Sequence, residues 1–433
     1  MMRGYEHLPA LLASADLQGE FTVSDLPGGG NNKVYRIDIG ETAALLKVYF
    51  RDEVDTRDRL GAEFSFCRFA WSAGVRSVPQ PLAQDPAAGL GLYEFLQGRP
   101  LRNGEVDRPA VEQAVEFFCE LNRHKSLPEA QSLRPGSEAC FTMAEHLDCV
   151  DRRMKRFDQL DRTTPTGEEA DALVHERLIP AWSRIREQVV AGGVALDEPL
   201  PPGDRCLSPS DFGFHNTIAT AQASDSLPAS SLPSPGTPAF GSEAQARRGE
   251  GQGGGLEGSS SKAARHSEMK PPPPQPSPGV PGEGVNQAPT EWEGGVPGEG
   301  EKGGIVTREV SPGALRVPEA SGRLKFIDFE YSGWDDPAKT VCDFFCQPDV
   351  TVPMEFFEPV SRAFVEDSSD PAAHLRRIAL LLPVYRVKWC CILLNEFLPV
   401  GSRRRSFAKD PASQEQRRAA QLHKVRRALE GLQ

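Results

Sequence analysis

Leu207-Ser208-Pro209-Ser210-Asp211-Phe212-Gly213-Phe214-His215-Asn216 sets a carboxylate, Asp211, five positions ahead of a carboxamide, Asn216. The residues between them read as a tight loop that can point both groups into one small space. Hydroxyl attack on a nucleotide phosphate needs such a pair, an acid that accepts a proton and an amide oxygen that holds a metal ion. Asp-x4-Asn recurs by chance, so its reading depends on what flanks it.

Upstream, residues 20–50 read as strand, turn, strand, strand. Gly28-Gly29-Gly30-Asn31-Asn32 is the turn, either an ordinary hairpin connection or a loop whose N–H groups close over phosphates. The run Ala43-Ala44-Leu45-Leu46-Lys47-Val48-Tyr49-Phe50 carries one charge. On a strand Lys47 shares a face with Leu45 and Tyr49. An ammonium there is costly to bury unless paired, and otherwise it snorkels from an edge strand. A helix is predicted from about Thr56 to Ser72, with Leu60, Phe64, Cys67 and Trp71 on one stripe and Glu63 beside it. Glu63 can therefore face Lys47, or lie in solvent beside Arg59. Leu90 to Leu96 is a further strand, and Gln97-Gly98-Arg99-Pro100 a turn near a boundary between lobes. Three helices are predicted over 106–200: one around Val111–Asn122, then Ser137–Leu160 and Glu168–Val190.

Downstream, residues 221–322 change character. Large apolar residues are sparse, prolines and glycines cluster, and Gly-Val-Pro-Gly-Glu-Gly occurs at 279–284 and again at 295–300. Little is available there to offset the entropy of ordering, which predicts a disordered insert. It separates a β-prone stretch, Asn216–Thr220, from another, Leu324–Phe329, as an insert at a hairpin tip would. The second stretch ends in carboxylates, Asp328 and Glu330. Asp335 or Asp336 is a helix cap ahead of Pro337. A strongly apolar helical region follows at 373–398. The basic, polar tail from Arg403 is expected to form a helix with a solvated face.

The formal charge of −12 argues against a general nucleic-acid or anionic-membrane binder. The run lengths predict no membrane span, and the N-terminus no secretory signal. Nine irregularly spaced cysteines fit a reducing, cytoplasmic setting.

In order, then, the chain offers a glycine turn, a strand lysine, a helix glutamate, an Asp-x4-Asn loop and a strand aspartate. In this it resembles the aminoglycoside phosphotransferase and choline kinase superfamily, whose loop usually reads His-Gly-Asp-x4-Asn and whose next strand ends Ile-Asp-Phe or Ile-Asp-Trp. Here those are Pro209-Ser210-Asp211-x4-Asn216 and Ile327-Asp328-Phe329. Tyr93-Glu94-Phe95-Leu96-Gln97-Gly98 looks like the segment joining the lobes, and Asp336-Pro337 followed by Asp343 is similar to the region after the metal-binding aspartate. The likeness covers about residues 20–400 apart from the insert. Pro209 and Ser210 depart from the usual His and Gly.

The resemblance implies an α+β, bilobal protein-kinase-like fold with a small β-rich lobe (1–100) and a large, mainly helical one (101–220 and 323–433), interrupted by the insert at 221–322. It implies ATP and Mg2+, and transfer of the γ-phosphoryl group to a hydroxyl of a small molecule. Asp211 is then the catalytic base. Gly29, Gly30, Lys47, Glu63, Glu94 and Leu96 contact the nucleotide, and Asn216 and Asp328 hold the metal. Trp334, Asp335, Arg386, Trp389 and Glu396 are candidates for touching the acceptor. The alternatives are an inactive nucleotide-binding or interaction module of the same fold, and a protein kinase, for which no Ala-Pro-Glu activation segment is present.

Overall fold

The computed structural model describes residues 5–26, 32–51, 57–220, 323–398 and 414–432. Gly29, Gly30 and the expected insert at 221–322 lie outside them. After helix α1 (Leu8–Ser14) come strands β1 (Phe21–Asp25), β2 (Lys33–Ile39) and β3 (Thr42–Val48), helix α2 (Arg59–Ser72), and strands β4 (Pro81–Asp85) and β5 (Leu90–Glu94). The five strands form one antiparallel sheet in the order β1-β2-β3-β5-β4.

Ile39 pairs with Thr42, so β2 and β3 are joined by the two-residue turn Gly40-Glu41. Gly40 takes φ 56°, the positive value such a turn needs. Side chains alternate across the sheet. Ile37, Ile39, Ala44, Leu46 and Leu92 are buried in one cluster with Leu8, Leu11 and Leu12 of α1. Lys47, Tyr49 and Tyr93 face the other way, toward Leu60, Phe64 and Cys67 of α2. That helix starts at Arg59, three residues later than expected near Thr56, because the Asp58 carboxylate accepts the Gly61 N–H at 2.9 Å and caps it.

The joint follows. A Cβ on Gly98 would lie 2.4 Å from the Ala219 carbonyl oxygen, so only glycine permits this close approach. Strand β6 (Arg99–Pro100) leads into the larger, mainly helical part: α3 (Arg108–Arg123), α4 (Pro128–Gln131), α5 (Met143–Met154), α6 (Pro165–Leu173) and α7 (Ile179–Ala191). The helix expected over Ser137–Leu160 begins only at Met143, where Thr142 and Glu145 form a reciprocal capping box. The one expected over Glu168–Val190 is α6 and α7 joined by a π-helical turn at Val174–Leu178.

Short strands then carry the loop of interest: β7 (Cys206–Ser208), β8 (Thr217–Ala219), β9 (Leu324–Phe326) and β10 (Gly333–Asp335). β10 pairs with β7, and β6, β8 and β9 form a second ribbon. Thr217 pairs with Phe326, and the Thr220 N–H donates to the Arg323 carbonyl at 3.0 Å. The chain closes with α8 (Pro337–Cys346), α9 (Phe357–Val365), α10 (Pro371–Leu393) and α11 (Gln414–Glu430). Asp336 caps α8 by accepting the Ala338 N–H at 2.7 Å. Residues 371–397 are long and apolar enough to cross a membrane by length and composition, and 72% of the apolar window is buried inside the protein.

α11 corrects one expectation. Its basic sequence suggested a solvated face, yet Leu422, Val425 and Leu429 are buried in the main core, and Arg418 and Gln421 are buried with them. Three apolar residues on one helical stripe suffice to dock it. The architecture is otherwise the α+β arrangement expected, an antiparallel sheet in the N-terminal part followed by a mainly helical part.

Candidate functional site

Lys47 emerges from the α2-facing side of β3 and is 6% exposed. Its ammonium donates to Glu63 Oε2 at 2.7 Å and also to Asp328 Oδ1. Glu63 accepts a second bond from the Tyr49 hydroxyl at 2.6 Å, and that hydroxyl meets the one on Tyr93 at 2.8 Å. Burial pulls the Lys47 ammonium toward neutrality, but the carboxylates of Asp328, Glu63 and Glu330 outweigh it and hold Lys47 well above its ordinary value. Of the two readings of Lys47, the buried, paired one holds, and Glu63 faces it rather than solvent.

The Asp211 loop is anchored by packing. Phe212 and Phe214 are buried on either side of Gly213. The Phe212 ring lies 4.9 Å from that of Phe344, 5.4 Å from Phe326 and 5.8 Å from Phe117. Phe214 lies 5.4 Å from Phe344. Hydrogen bonds fix the approach. Asn122 clamps both backbone groups of Leu207, and the Ser208 hydroxyl accepts the Ser210 N–H at 3.0 Å while receiving the Thr340 hydroxyl at 2.9 Å. These contacts hold the backbone around Pro209.

Asp211 projects from the anchored loop with its carboxylate 3.2 Å from His215 Nε2. Burial pushes that carboxyl up, but His215 and Lys388 outweigh it and keep it below the usual carboxylate range. The same pairing holds the His215 imidazole above its ordinary value despite burial. Asn216 Nδ2 donates to the Asp211 carbonyl at 3.1 Å, which turns the carboxamide oxygen away from the loop. The Asn216 carbonyl accepts the Ile327 N–H at 3.0 Å, so Asp328 follows directly from the ladder that ends at Asn216. Ser210 and Asp328 both sit at positive φ, 70° and 68°, a conformation uncommon for residues with a Cβ.

Lys47, Glu63, Asp211, Asn216 and Asp328 are thus brought to one region. Glu94 ends β5, with its carboxylate accepting the Gln80 N–H at 3.1 Å, and Leu96 is half-buried just beyond. Several acceptor-side expectations fail. Trp334 donates its indole N–H to the Ala130 carbonyl, and Arg386 binds the Gly431 carbonyl at the surface. Asp335 is wholly buried on Lys339, and Glu396 is wholly buried near Arg417. Of the five candidates only Trp389 lines the cleft beside Asp211.

That cleft is walled in part by residues that sequence reasoning passed over, Gln347 and Asp349 among them. Also unforeseen is Asn32, buried beside the glycine turn, which donates to Glu330 and accepts the Phe50 N–H at 3.2 Å. A polar residue adjoining a glycine turn was its one sequence signal.

Residues 22–200 match the family model described as the phosphotransferase enzyme family, a match that ends before Leu207. No curated protein sequence matches the chain. Among solved structures, a choline/ethanolamine kinase family protein from Mesorhizobium loti is 16% identical, covers 100% of this chain and 99% of its own, and has a TM-score of 0.47. A choline kinase from Streptococcus pneumoniae is 12% identical over 99% of both chains, with a TM-score of 0.46. A spectinomycin phosphotransferase in complex with ADP and spectinomycin is 10% identical over 96% and 97%, with a TM-score of 0.48.

Proposed function

We propose, from the match of residues 22–200 to the phosphotransferase enzyme family model and from the geometry above, that this chain moves the γ-phosphoryl group of ATP to a hydroxyl of a small molecule. The observation that carries the reading is the gathering of Lys47, Asp328 and the Asp211–Asn216 loop at one place. Lys47 supplies the positive charge for nucleotide phosphates, and Glu63, with Tyr49 behind it, fixes its direction. Gly29 and Gly30, which precede β2 in sequence, are the candidates for N–H contacts to those phosphates, and the segment from Glu94 to Leu96 for contact with the base.

Asp211 lies on the acceptor side. Held ionised by His215, its carboxylate accepts a hydrogen bond from the acceptor hydroxyl and aims the oxygen at phosphorus. As the new O–P bond forms and the bond from the γ-phosphorus to the bridging oxygen breaks, the proton passes to Asp211. Asp328 and Asn216 are one carboxylate and one carboxamide, hard oxygen donors of the kind Mg2+ takes alongside substrate phosphates. These two residues would hold the ion, whose charge neutralises the phosphates when it is bound.

The test is Mg2+-dependent ATP consumption across sugars, polyols, amino alcohols and aminoglycosides, beside Asp211→Asn and Asp328→Asn. The expected result is acceptor-stimulated turnover that falls about 10²- to 10⁴-fold in Asp211→Asn, the usual loss with a general base. Turnover equal to that of the variants for every acceptor defeats the reading.

A further inference from the structure

The cleft beside Asp211 is lined by seven carboxylate, ammonium or imidazole side chains, and each has its counter-charge in place. Glu138 is bound by Arg153 at 2.7 and 2.8 Å, and Asp211 meets His215. Lys339 binds Asp335 at 2.6 Å, Lys388 binds both oxygens of Asp343 at 3.1 Å, and Asp349 Oδ1 pairs with Lys424 of α11. A cleft balanced in this way offers no surplus charge to an ammonium or to an acidic group.

Three buried polar atoms of its lining residues are left over among the described residues: Nδ1 of His215, whose Nε2 faces Asp211, and one atom each on Gln347 and Asp349. Gln347 is 2% exposed, and its Oε1 accepts the N–H groups of Asp349 and Val350 at 2.9 and 3.0 Å. Those two backbone donors settle which end of the amide is oxygen, so Nε2 is turned the other way with its two N–H groups. Among the described residues Nε2 has no partner, and neither has Asp349 Oδ2, although the Asp349 side chain is only 4% exposed. Buried polar atoms are rarely left so, and each such atom costs stability unless something fills its place. The pair is one donor and one acceptor, both positioned by backbone bonds or an ion pair, and both lining the cleft that holds Asp211.

We propose that Gln347 and Asp349 are specificity-determining residues that hold a second hydroxyl of a neutral, polyhydroxylated acceptor, a sugar or polyol, while Asp211 engages the reacting one. A hydroxyl is the group that satisfies both atoms together, taking an N–H from Gln347 and giving its O–H to Asp349. A quaternary ammonium does neither, and a primary ammonium has no lone pair for Gln347. Sites built to bind a hydroxyl reject analogues that lack it far more strongly than apolar pockets do. The inference rests on reading this cleft as the acceptor site.

The experiment compares D-glucose, its 2-, 3- and 6-deoxy analogues, sorbitol and myo-inositol with choline and ethanolamine, in transfer from Mg2+-ATP and in calorimetric binding to the full chain. The variants are Gln347→Glu, which keeps the oxygen that the two backbone N–H groups need but replaces the donor, and Asp349→Asn. The expected result is a neutral polyol as the best acceptor. At least one deoxy analogue then loses tenfold or more in kcat/KM with the wild-type protein, and both variants lose tenfold or more on the polyol. The deoxy series needs no variant to fold. Choline or ethanolamine as the best acceptor, with polyols inert, overturns the inference and leaves the kinase reading standing. A polyol that binds, weakens tenfold in Gln347→Glu and is never phosphorylated supports the inference and removes the kinase reading. No binding and no transfer with any polyol overturns the inference, as does a polyol acceptor indifferent to both variants.

Discussion

The two halves of the proposed catalytic arrangement are held by different physics. Lys47 is held by charge: it donates to Glu63 and Asp328, and the Tyr49 hydroxyl, itself bonded to that of Tyr93, donates to Glu63, in a region from which water is largely excluded. Asp211 is held by packing: its loop is pinned by Phe212 and Phe214 among the rings of Phe117, Phe326 and Phe344. A charge-held group fails by losing a partner, which strands a buried ion. A packing-held group fails by a cavity, which lets the whole loop relax. One substitution in each half therefore has a distinct signature.

The largest effect belongs to the charge-held half. Lys47→Met removes the cation and leaves Glu63 and Asp328 facing each other. On the proposed function, kcat/KM for ATP falls more than 100-fold, read by initial-rate kinetics, while the Asp211 half stays folded. Breaking a buried pair from one side also costs about 3–5 kcal/mol, read by urea unfolding. An unchanged kcat/KM would remove Lys47 from the phosphate site.

Phe212→Ala tests the packing-held half. Phe212 is 3% exposed and contacts aromatic rings on three elements. Truncation of a buried Phe costs about 3–5 kcal/mol. The loss is in stability and acceptor turnover, with ATP affinity held within about threefold, since a packing defect on one side leaves the Lys47 contacts in place. Equal losses in both affinities would show that the halves are one unit.

A third variant sharpens the contrast by moving the charge to the surface. Asp161, whose side chain is 30% exposed, ties α11 to the body through Arg418 at 2.7 Å. Bonds from Thr163 and then Arg418 pull its carboxyl down to about 2. A carboxyl lowered in the folded state contributes stability fully above its unfolded value, near 3.9, and loses it as pH falls toward 2. Solvent screening trims the contribution to about 1 kcal/mol. Wild-type stability should then fall more steeply than that of Asp161→Asn between pH 4 and pH 2, read by chemical denaturation. Parallel curves would count against the pair.

The smallest effect is a gain. Ser210 holds φ 70° beside Asp211, in a conformation glycine adopts freely. Ser210→Gly removes that strain but loosens the unfolded chain, for a net stabilisation of about 0.5 to 1 kcal/mol, read as a rise in melting temperature. A fall would mean that the serine makes a compensating contact.

The contrast also explains what could be read from the residues alone. Lys47 and Glu63 were legible because a lone charge in an apolar strand and an acid beside an apolar helical stripe must find each other or water. The β8–β9 hairpin and the cap at Asp336 were legible for similarly local reasons. Gln347 and Asp349 lie in an irregular stretch after α8, where no periodicity tells which side chain faces a cleft. Lys388 and Arg386 show the limit well. They are two apart on α10, about 200° around a helix, so one reaches Asp343 inside and the other the surface carbonyl of Gly431. α11 was misread because charges outnumber the three buried apolar residues that dock it. Its Lys424 then supplies the counter-charge of Asp349 from a tail that composition alone assigned to solvent.

Thr220 and Arg323 are neighbours in space although 102 residues lie between them in sequence, and the bond from the Thr220 N–H to the Arg323 carbonyl closes the ladder that carries Asn216 and Asp328. The geometry of the two proposed metal-binding residues is thereby insulated from the length of the intervening chain, since closing a longer loop costs only logarithmically more. For protein engineering, this junction is a socket. A fluorescent protein or a ligand-binding domain whose own termini lie close together can be spliced in between Thr220 and Arg323, with the body of the protein unchanged around it.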